Sequence, residues 1–309
     1  MKHLKASIII VNFNTGEYLR NCIEGILKGS TNIFEKIVIV DNNSSDNSLQ
    51  LIKSFSDKLL VVKNNQNLGF AKACNIGAQK CNSEFLIFLN PDTIVDIQQL
   101  QKTLKFIERN PQKKIGVCGV RQINEYGETS RHCCKHPNIL NFISSSIGLH
   151  KILKNSSHVM EAWDHDSSRN VEHVIGSCYF IRNKIFRELN GFDERFYLYY
   201  EDLDLSTRVR LAGWNIYYYA DAKIQHFCGG SSRNIVDIRL FRSIQSKIIF
   251  IDKYYGPLQG FFLFLVSITF EFLIRTTLSI LKLDISEAKN VFSGFILLIT
   301  WSKSFFLKK

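Results

Sequence analysis

Residues 36–46 read KIVIVDNNSSD: four β-branched residues in a row, Ile37 to Val40, then an acid, two amides, two hydroxyls and a second acid. A strand with one wet face alternates apolar and polar residues, whereas this run is apolar on both faces, as a strand covered by helices on both sides must be. The same signature recurs on either side of it. Residues 7–14 read SIIIVNFN and residues 85–92 read FLIFLNPD, each an apolar run halted by a polar, turn-forming cluster. Ser7–Val11, Lys36–Val40, Leu59–Lys63 and Phe85–Leu89 are therefore assigned as strands. Amphipathic segments of helical length lie around Glu17–Leu27, Ser48–Phe55, Phe70–Gln79 and Ile97–Arg109. This alternation predicts an α/β fold with a mostly parallel central sheet flanked by helices. Ligands of such sheets sit beyond the strand C-termini. Asn12-Phe13-Asn14, Asp41 to Asp46, Asn64 to Asn67 and Asn90-Pro91-Asp92 are thus expected to line one edge.

Past Pro111, Ile115–Val120 reads as a further strand, and Arg121 to Asn170 is polar, weakly periodic and expected to form loops over the cleft. His173–Ile181 is assigned as a strand, Lys184–Leu189 as a short helix, Glu201–Ala212 as a helix stopped by Gly213, and Ala222–His226 as a strand. From Ile238 a polar helix leads to Pro257. Pro257–Ile274 is then an eighteen-residue stretch with Glu271 as its only charge, and Val291–Trp301 is a second apolar stretch. The expected division is a first domain over residues 1–235 and a helical region over 236–309.

Composition narrows the function classes. The chain has 309 residues, 45% hydrophobic and 22% charged, with only four Pro, which excludes collagenous and Pro-rich or long disordered architectures. Its net charge is +11, and the last 87 residues hold twelve Lys+Arg against five Asp+Glu, so +7 of the excess lies beside the most apolar stretch. That pairing points to an anionic membrane surface. No basic helix or basic–aromatic pattern accompanies it, so nucleic acid is not an expected partner. The eight cysteines show neither a CxxC pair nor zinc spacing and read as reduced, mostly buried thiols. The start, MKHLKASIIIVNFN, has too short an apolar run for a signal peptide, so the main body is expected in the cytosol.

The first strand is not followed by GxGxxG, and no Walker loop is present. Asp41 ends the second strand, where a carboxylate can accept hydrogen bonds from a base or ribose; the same letters also serve a turn and helix cap. Asp92 emerges after FLIFL at the sheet edge, where a hard cation such as Mg²⁺ or Mn²⁺ could bridge it to phosphate oxygens; a Pro turn capping the next helix is the alternative. In GFDERFYLYYEDLDLSTRVRLAGW three carboxylates open a helix, in agreement with its dipole. Helical spacing puts Leu205, Val209 and Ala212 on an inward stripe flanked by Glu201 and Asp202, turns Asp204 away from it and pairs Asp204 with Arg208. Asp202, without a partner on its own helix, suits a general base for an acceptor hydroxyl, and the neighbouring catalytic candidate Glu201 could raise its pKa. His226 ends a strand-like run ahead of a Gly/Ser loop, and gains weight as a metal ligand if it meets Asp92.

In order and spacing these pieces resemble the inverting nucleotide-sugar glycosyltransferases of family two, which have the GT-A fold, and within them the rhamnosyltransferase-like branch. The resemblance runs from about Lys5 to Ser232. It is carried by Asn12-Phe13-Asn14, by Val40 to Ser48, by the N-x-G-FA-x-x-x-N-x-G loop from Asn67 to Gly77, and by Asn90-Pro91-Asp92 in place of Asp-x-Asp. It continues through Gly176 to Arg182, the GFDE turn from Gly191 to Glu194, the Glu201-Asp202 helix start and the HxxG-S loop from His226 to Ser231. It implies a Rossmann-like GT-A catalytic domain over 1–235. By the same resemblance Asp202 is the catalytic base with Glu201 beside it, and Asp92 and His226 hold Mg²⁺ or Mn²⁺. Val11, Phe13, Asp41, Asn67 and Asn90 then bind the nucleotide-sugar. The implied partners are a dTDP- or UDP-sugar donor and a glycan or lipid-linked oligosaccharide acceptor.

The C-terminal region is expected to be membrane-associated at the cytoplasmic face, peripheral or monotopic, because Glu271 and Arg275 weaken a spanning assignment for Pro257–Ile274; a single span and a packed core helix are the alternatives. The competing functions are a catalytically inactive nucleotide-binding scaffold in a glycan assembly complex, and a processive polysaccharide synthase. The latter lacks its QxxRW signature in this sequence.

Overall fold

The first strand, β1 (Ala6–Asn12), is buried at every residue because it has a parallel partner on each side, β2 (Phe34–Asp41) and β4 (Phe85–Leu89). This computed structural model describes residues 5–29, 33–153, 156–227 and 236–307. Its sheet runs β3-β2-β1-β4-β8-β6-β9-β5, with β7 added on β9. The remaining strands are β3 (Leu60–Lys63), β5 (Thr93–Ile94), β6 (Ile115–Ile123), β7 (Arg169–Val171), β8 (Cys178–Arg182) and β9 (Asn215–His226). The half built from β3, β2, β1 and β4 is parallel. Beyond it β8 runs antiparallel to both β4 and β6, β6 and β9 are parallel, and β5 and β7 are antiparallel to β9. The fold is GT-A-like, with parallel strands confined largely to the N-terminal half.

Apolar runs on both faces of a strand produce two cores. On one side Ile8, Ile10, Phe85, Ile87 and Leu89 pack with α1 (Glu17–Leu27) and α4 (Ile97–Arg109). On the other side Ile9, Val11, Leu86 and Phe88 pack with α3 (Phe70–Gln79), α6 (Asn183–Glu188) and α7 (Glu201–Leu211). Burying one such side chain contributes roughly 1.5–3 kcal/mol, so a one-residue register slip would exchange two complete sets of contacts rather than expose one.

Four local expectations are corrected. The Ser48–Phe55 helix divides into α2 (Ser48–Leu51) and a 3₁₀ segment, Lys53–Lys58. Strand β8 begins at Cys178 rather than His173, because residues 173–177 are diverted by side-chain bonds into the site described below. Strand β9 begins at Asn215, seven residues before Ala222, since its aromatic run Tyr217–Tyr219 pairs in register with Cys118–Val120 of β6. The 121–170 region is only partly loop: β6 continues to Ile123, and α5 (Ile139–Ser146) is started by a capping box of Asn138 and Asn141.

By contacts the chain forms two units, one of residues 1–136, 159–194 and 201–231, the other of 137–158, 195–200 and 232–309. The expected boundary at 235 lies outside the described residues, and segments 137–158 and 195–200 join the second unit. That unit contains α5, α8 (Val236–Tyr255), α9 (Pro257–Val266), a π-helical turn (Ser267–Glu271), α10 (Phe272–Leu281) and α11 (Ile285–Phe306).

Candidate active site

The polar clusters that end β1, β2 and β3 bond to one another and form a continuous rim. Asn12 Nδ2 donates to Asp41 Oδ1 at 2.7 Å and to Ser48 Oγ at 2.8 Å, and Ser44 N donates to Asp41 Oδ2. Asn14 Oδ1 accepts from Ser45 N, Gly16 N donates to Asp46 Oδ2, Asn42 Nδ2 donates to the Gly69 carbonyl, and Asn67 Oδ1 accepts from Gly69 N. Val11 and Asp41 are buried along this rim, while Phe13 and Asn67 are half-buried. Both oxygens of Asp41 are thus engaged in ordering the loops.

Farther along the same edge Asp92 and His226 meet. Thr93 pairs with His226 where β5 joins β9, Phe227 N donates to the Asp92 carbonyl, and His226 Nε2 lies 3.3 Å from Asp92 Oδ1. Both side chains are buried. His226 Nδ1 is 3.0 Å from Gln122 Oε1, and the Gln122 amide nitrogen donates to Ser177 Oγ in a short contact. An amide oxygen facing Nδ1 puts the ring proton on Nδ1 and directs an Nε2 lone pair at the Asp92 carboxylate. Two electron-rich groups held that way suit a cation between them. Among the described residues no cluster of three or more His, Cys, Asp or Glu forms a complete cation site. A carboxylate and an imidazole nonetheless fit Mg²⁺ or Mn²⁺, which keep positions for phosphate oxygens and water.

Helix α7 supplies the third element. It starts immediately after Tyr199 (φ 70°) and Tyr200 (φ 66°), two consecutive left-handed tyrosines in a conformation that bulky residues adopt at a cost. Asp202, next in that turn, is buried: Oδ2 accepts from Gly176 N at 2.7 Å and Oδ1 from Leu203 N at 2.8 Å. His173 Nε2 stands 3.9 Å from Asp202 Oδ2, and burial pushes the His173 pKa down, so the ring is neutral near pH 7. A Cβ at position 176 would lie 3.1 Å from Asp202 Oδ2, tighter than ordinary contact, which accounts for glycine there. The next residue ties this group to the other: the Ser177 carbonyl accepts from Asn90 N, and Ser177 Oγ accepts from Gln122. Asp202 and the Asp92–His226 pair are therefore both tied to one dipeptide, Gly176-Ser177. Glu201 is also buried, with Oε2 unpartnered, and desolvation followed by the neighbouring Asp202 charge raises its carboxyl pKa well above the ordinary range.

The expected orientation of Asp204 is corrected. It is fully buried, and the pairing with Arg208 holds in the interior, Arg208 Nη2 lying 2.7 Å from Asp204 Oδ2. Arg208 also donates to the Leu189 and Gly191 carbonyls. Ala212, expected on the inward stripe, is exposed. The start of α7 is enclosed on all sides because it carries this cross-link to the GFDE turn. That turn is in turn clasped by Asn75, whose side chain accepts from Phe192 N and donates to the Phe192 carbonyl. Gly191 has φ 70°, and a Cβ there would fall 2.5 Å from Asn75 Oδ1. The motif from Asn67 to Gly77 and the GFDE turn thus form one joint. The HxxG-S loop beyond Phe227 lies outside the described residues.

Sequence reasoning missed Gln122, Ser177, His173 and His132. Gln122 is the first buried polar side chain at the C-terminal end of β6, so the strand-end rule that found Asp41 and Asp92 applies to it too. His132 lies on a segment pinned by Ser130 N to the Gln122 carbonyl and by Cys134 N to the His173 carbonyl. Its Nδ1 donates to the Ser130 carbonyl, and burial pushes its pKa down to about 3, so its buried, unpartnered Nε2 is an acceptor.

Comparisons with known proteins agree with this architecture. An N-acetylglucosaminyl-diphospho-decaprenol L-rhamnosyltransferase of Mycobacterium tuberculosis is 23% identical over 269 residues, covering 81% of this chain and 85% of that protein. The rhamnosyltransferase WbbL of Escherichia coli is 25% identical over 241 residues, covering 74% and 85%. Among solved structures, the mannosyltransferase PcManGT of Pyrobaculum calidifontis, in complex with GDP-Man and Mn²⁺, superposes with a TM-score of 0.57 at 12% identity, covering 100% of this chain and 89% of that one. Staphylococcus aureus TarS superposes with a TM-score of 0.55 at 15% identity, covering 87% and 43%. The profile of Glycosyl transferase family 2 matches residues 7–189, more than half of the chain. With that match and the GT-A-like sheet together, the chain belongs to glycosyl transferase family 2.

Proposed function

We propose that this glycosyltransferase moves a hexose, with rhamnose the first candidate, from a dTDP- or UDP-sugar to a hydroxyl of a lipid-linked glycan, with inversion at the anomeric carbon. In the step proposed, Asp202 takes the proton of the acceptor hydroxyl as its oxygen bonds to the anomeric carbon. The bond from that carbon to the diphosphate oxygen breaks, and the diphosphate leaves with the electron pair. One attack from the face opposite the leaving group inverts the linkage. Asp92 and His226 would hold a divalent cation, which when bound offsets charge on the leaving diphosphate. Asp41, Asn67, Asn90, Phe13 and the Val11 backbone form the donor rim in this reading. Glu201, kept protonated by burial, preserves the shape of the helix start without adding a second charge beside the base.

The observation that carries the reading is the shared Gly176-Ser177 turn, which couples a buried, two-fold hydrogen-bonded carboxylate to the Asp92–His226 pair. The names of the relatives favour rhamnose and a polyprenyl-linked acceptor. An inactive scaffold is the rival from another class. The test is to screen the purified chain against dTDP- and UDP-sugars with Mn²⁺, following thermal stabilisation and release of nucleoside diphosphate. Selective stabilisation by one donor together with its turnover supports the proposal. Stabilisation without hydrolysis or transfer to any acceptor supports the scaffold.

A further inference from the structure

The helix Pro257–Leu281 is long and apolar enough to cross a membrane: 25 residues with a mean hydropathy of 1.8, only a third of its most apolar window buried. At about 1.5 Å per residue it would be on the order of 37 Å long, against about 30 Å of hydrocarbon. Its polarity is inverted relative to a helix of a water-soluble protein. Glu271, Ser267 and Ser279 are fully buried on its inner face, where Glu271 Oε1 accepts from Arg275 Nε and Nη2 at 3.0 and 2.8 Å and lies 4.0 Å from Lys247 Nζ. Outward it shows Phe262, Phe270, Leu273 and Ile280, each at least half exposed.

It is also one arm of an antiparallel hairpin. Phe272 packs on Phe292 and Phe295, while at the other end Phe261 and Phe264 pack on Phe306. The second arm, α11, repeats the inversion, with Phe292 and Ile296 outward beside a groove of about 530 Å³ and Ser302 buried. Behind both arms runs α8. Ser293 Oγ donates to Asp237 Oδ2 near its start, Lys247 meets Glu271 at its middle, and Gly260 packs on Asp252 near its end. Helix α8 also carries Asp237, Arg239, Arg242, Lys247, Asp252 and Lys253. A hairpin that crossed the bilayer would draw this charged helix into hydrocarbon, at a cost of roughly 2.5–3.5 kcal/mol for each central charge.

We infer that the α9–α11 hairpin lies in the plane of one lipid leaflet, its outer apolar face embedded among acyl chains and α8 shielding its inner face, so that neither arm spans. This refines the membrane association expected from the sequence and does not depend on the transferase chemistry. The basic residues at its margins, Lys282, Lys289 and Lys303, favour an anionic leaflet.

The test uses the full chain with NBD attached at Leu273→Cys, Phe292→Cys or the hairpin tip, Leu283→Cys, with unsubstituted protein as the labelling blank. Vesicles of phosphatidylcholine with phosphatidylglycerol carry doxyl quenchers at shallow or deep acyl positions. Expected are co-flotation that persists in high salt, and shallow-acyl quenching at both Leu273→Cys and Phe292→Cys. NBD at the tip should be bleached by dithionite, a membrane-impermeant reductant, added on the outside. Phe262→Asp with Leu273→Asp should lower vesicle partitioning on the order of tenfold or more while donor turnover in detergent is retained. A tip protected from the outside reagent, or deep quenching at mid-helix, would establish a span and overturn the inference. So would complete release by salt, or a concentration-dependent dimer without vesicle binding. Loss of donor turnover in the unsubstituted chain would count against the proposed function alone.

Discussion

Gln122→Leu isolates what an amide does behind the imidazole proposed to hold a cation. Gln122 is 2% exposed, and leucine has nearly its volume, so the substitution removes two side-chain bonds and little packing. The backbone pairing of the Gln122 carbonyl with Ser130 N is untouched. Two net hydrogen bonds lost in the interior correspond to about 1–3 kcal/mol of stability, well inside what a domain of this size tolerates. The larger effect falls on the imidazole. Without an acceptor at Nδ1, the proton can move to Nε2, where Asp92 Oδ1 is 3.3 Å away, and the lone pair that the proposed cation needs is lost. Removing such an outer partner usually lowers metal affinity about 10- to 100-fold, or about 1.4–2.8 kcal/mol. Mn²⁺ titration followed by electron paramagnetic resonance, in the presence of UDP, reads that affinity directly. ¹⁵N shifts of the His226 ring in metal-free protein report the tautomer. Gln122→Leu with unchanged Mn²⁺ affinity and an unchanged Nδ1–H tautomer would refute the reasoning.

Two further outcomes follow from the buried charges of α7. Arg208→Ala removes the guanidinium that bonds the fully buried Asp204 and the Leu189 and Gly191 carbonyls, and should lower urea-unfolding stability by about 3–5 kcal/mol; a loss under about 1 kcal/mol would contradict the cross-link. Glu201 has a raised folded-state pKa, so between about pH 4.5 and that raised value the folded chain holds a proton the unfolded chain has released, and stability falls as pH rises. Glu201→Gln removes this slope, so its advantage in Tm over the unsubstituted protein should widen from about pH 5 to pH 8. A difference that does not change with pH contradicts the assignment.

The parallel half of the fold was readable because its code is local. Phe85–Leu89 is apolar at every position, and the bounds of α1, α3 and α4 coincide with those expected, since an amphipathic stripe and its end signals lie within a dozen residues. The strand-end rule likewise points to Asp41 and Asp92, and the strand-like run Ala222–His226 to His226, whereas Asp202 is read from its helix face. What stayed hidden is long-range. Residues 173–177 have strand-like composition, yet the ladder is lost to side chains 26–33 positions away, Asp202 and Ser206. Asp204 looked solvent-facing on a helical wheel because the wheel carries no information about the Leu189–Gly191 turn that Arg208 reaches. Segment 137–158 belongs with the C-terminal helices through packing that no periodicity encodes: Phe142 sits against Tyr200 and Phe250, and Tyr255 Oη donates to the Pro137 carbonyl. The inverted polarity of the hairpin was half legible. The apolar length was evident, but the inward turn of Glu271 follows from long-range and i,i+4 contacts with Lys247 and Arg275.

The most direct measurement of the central claim is single-turnover transfer by Asp202→Asn, set beside calorimetric binding of the donor that the nucleotide-sugar screen identifies. Asparagine keeps the shape and can still accept from Gly176 N, but cannot take up the acceptor's proton. The account predicts donor affinity within about threefold of the unsubstituted enzyme and a transfer rate lower by about 10²- to 10⁴-fold. A transfer rate within tenfold, at equal donor affinity, would contradict it.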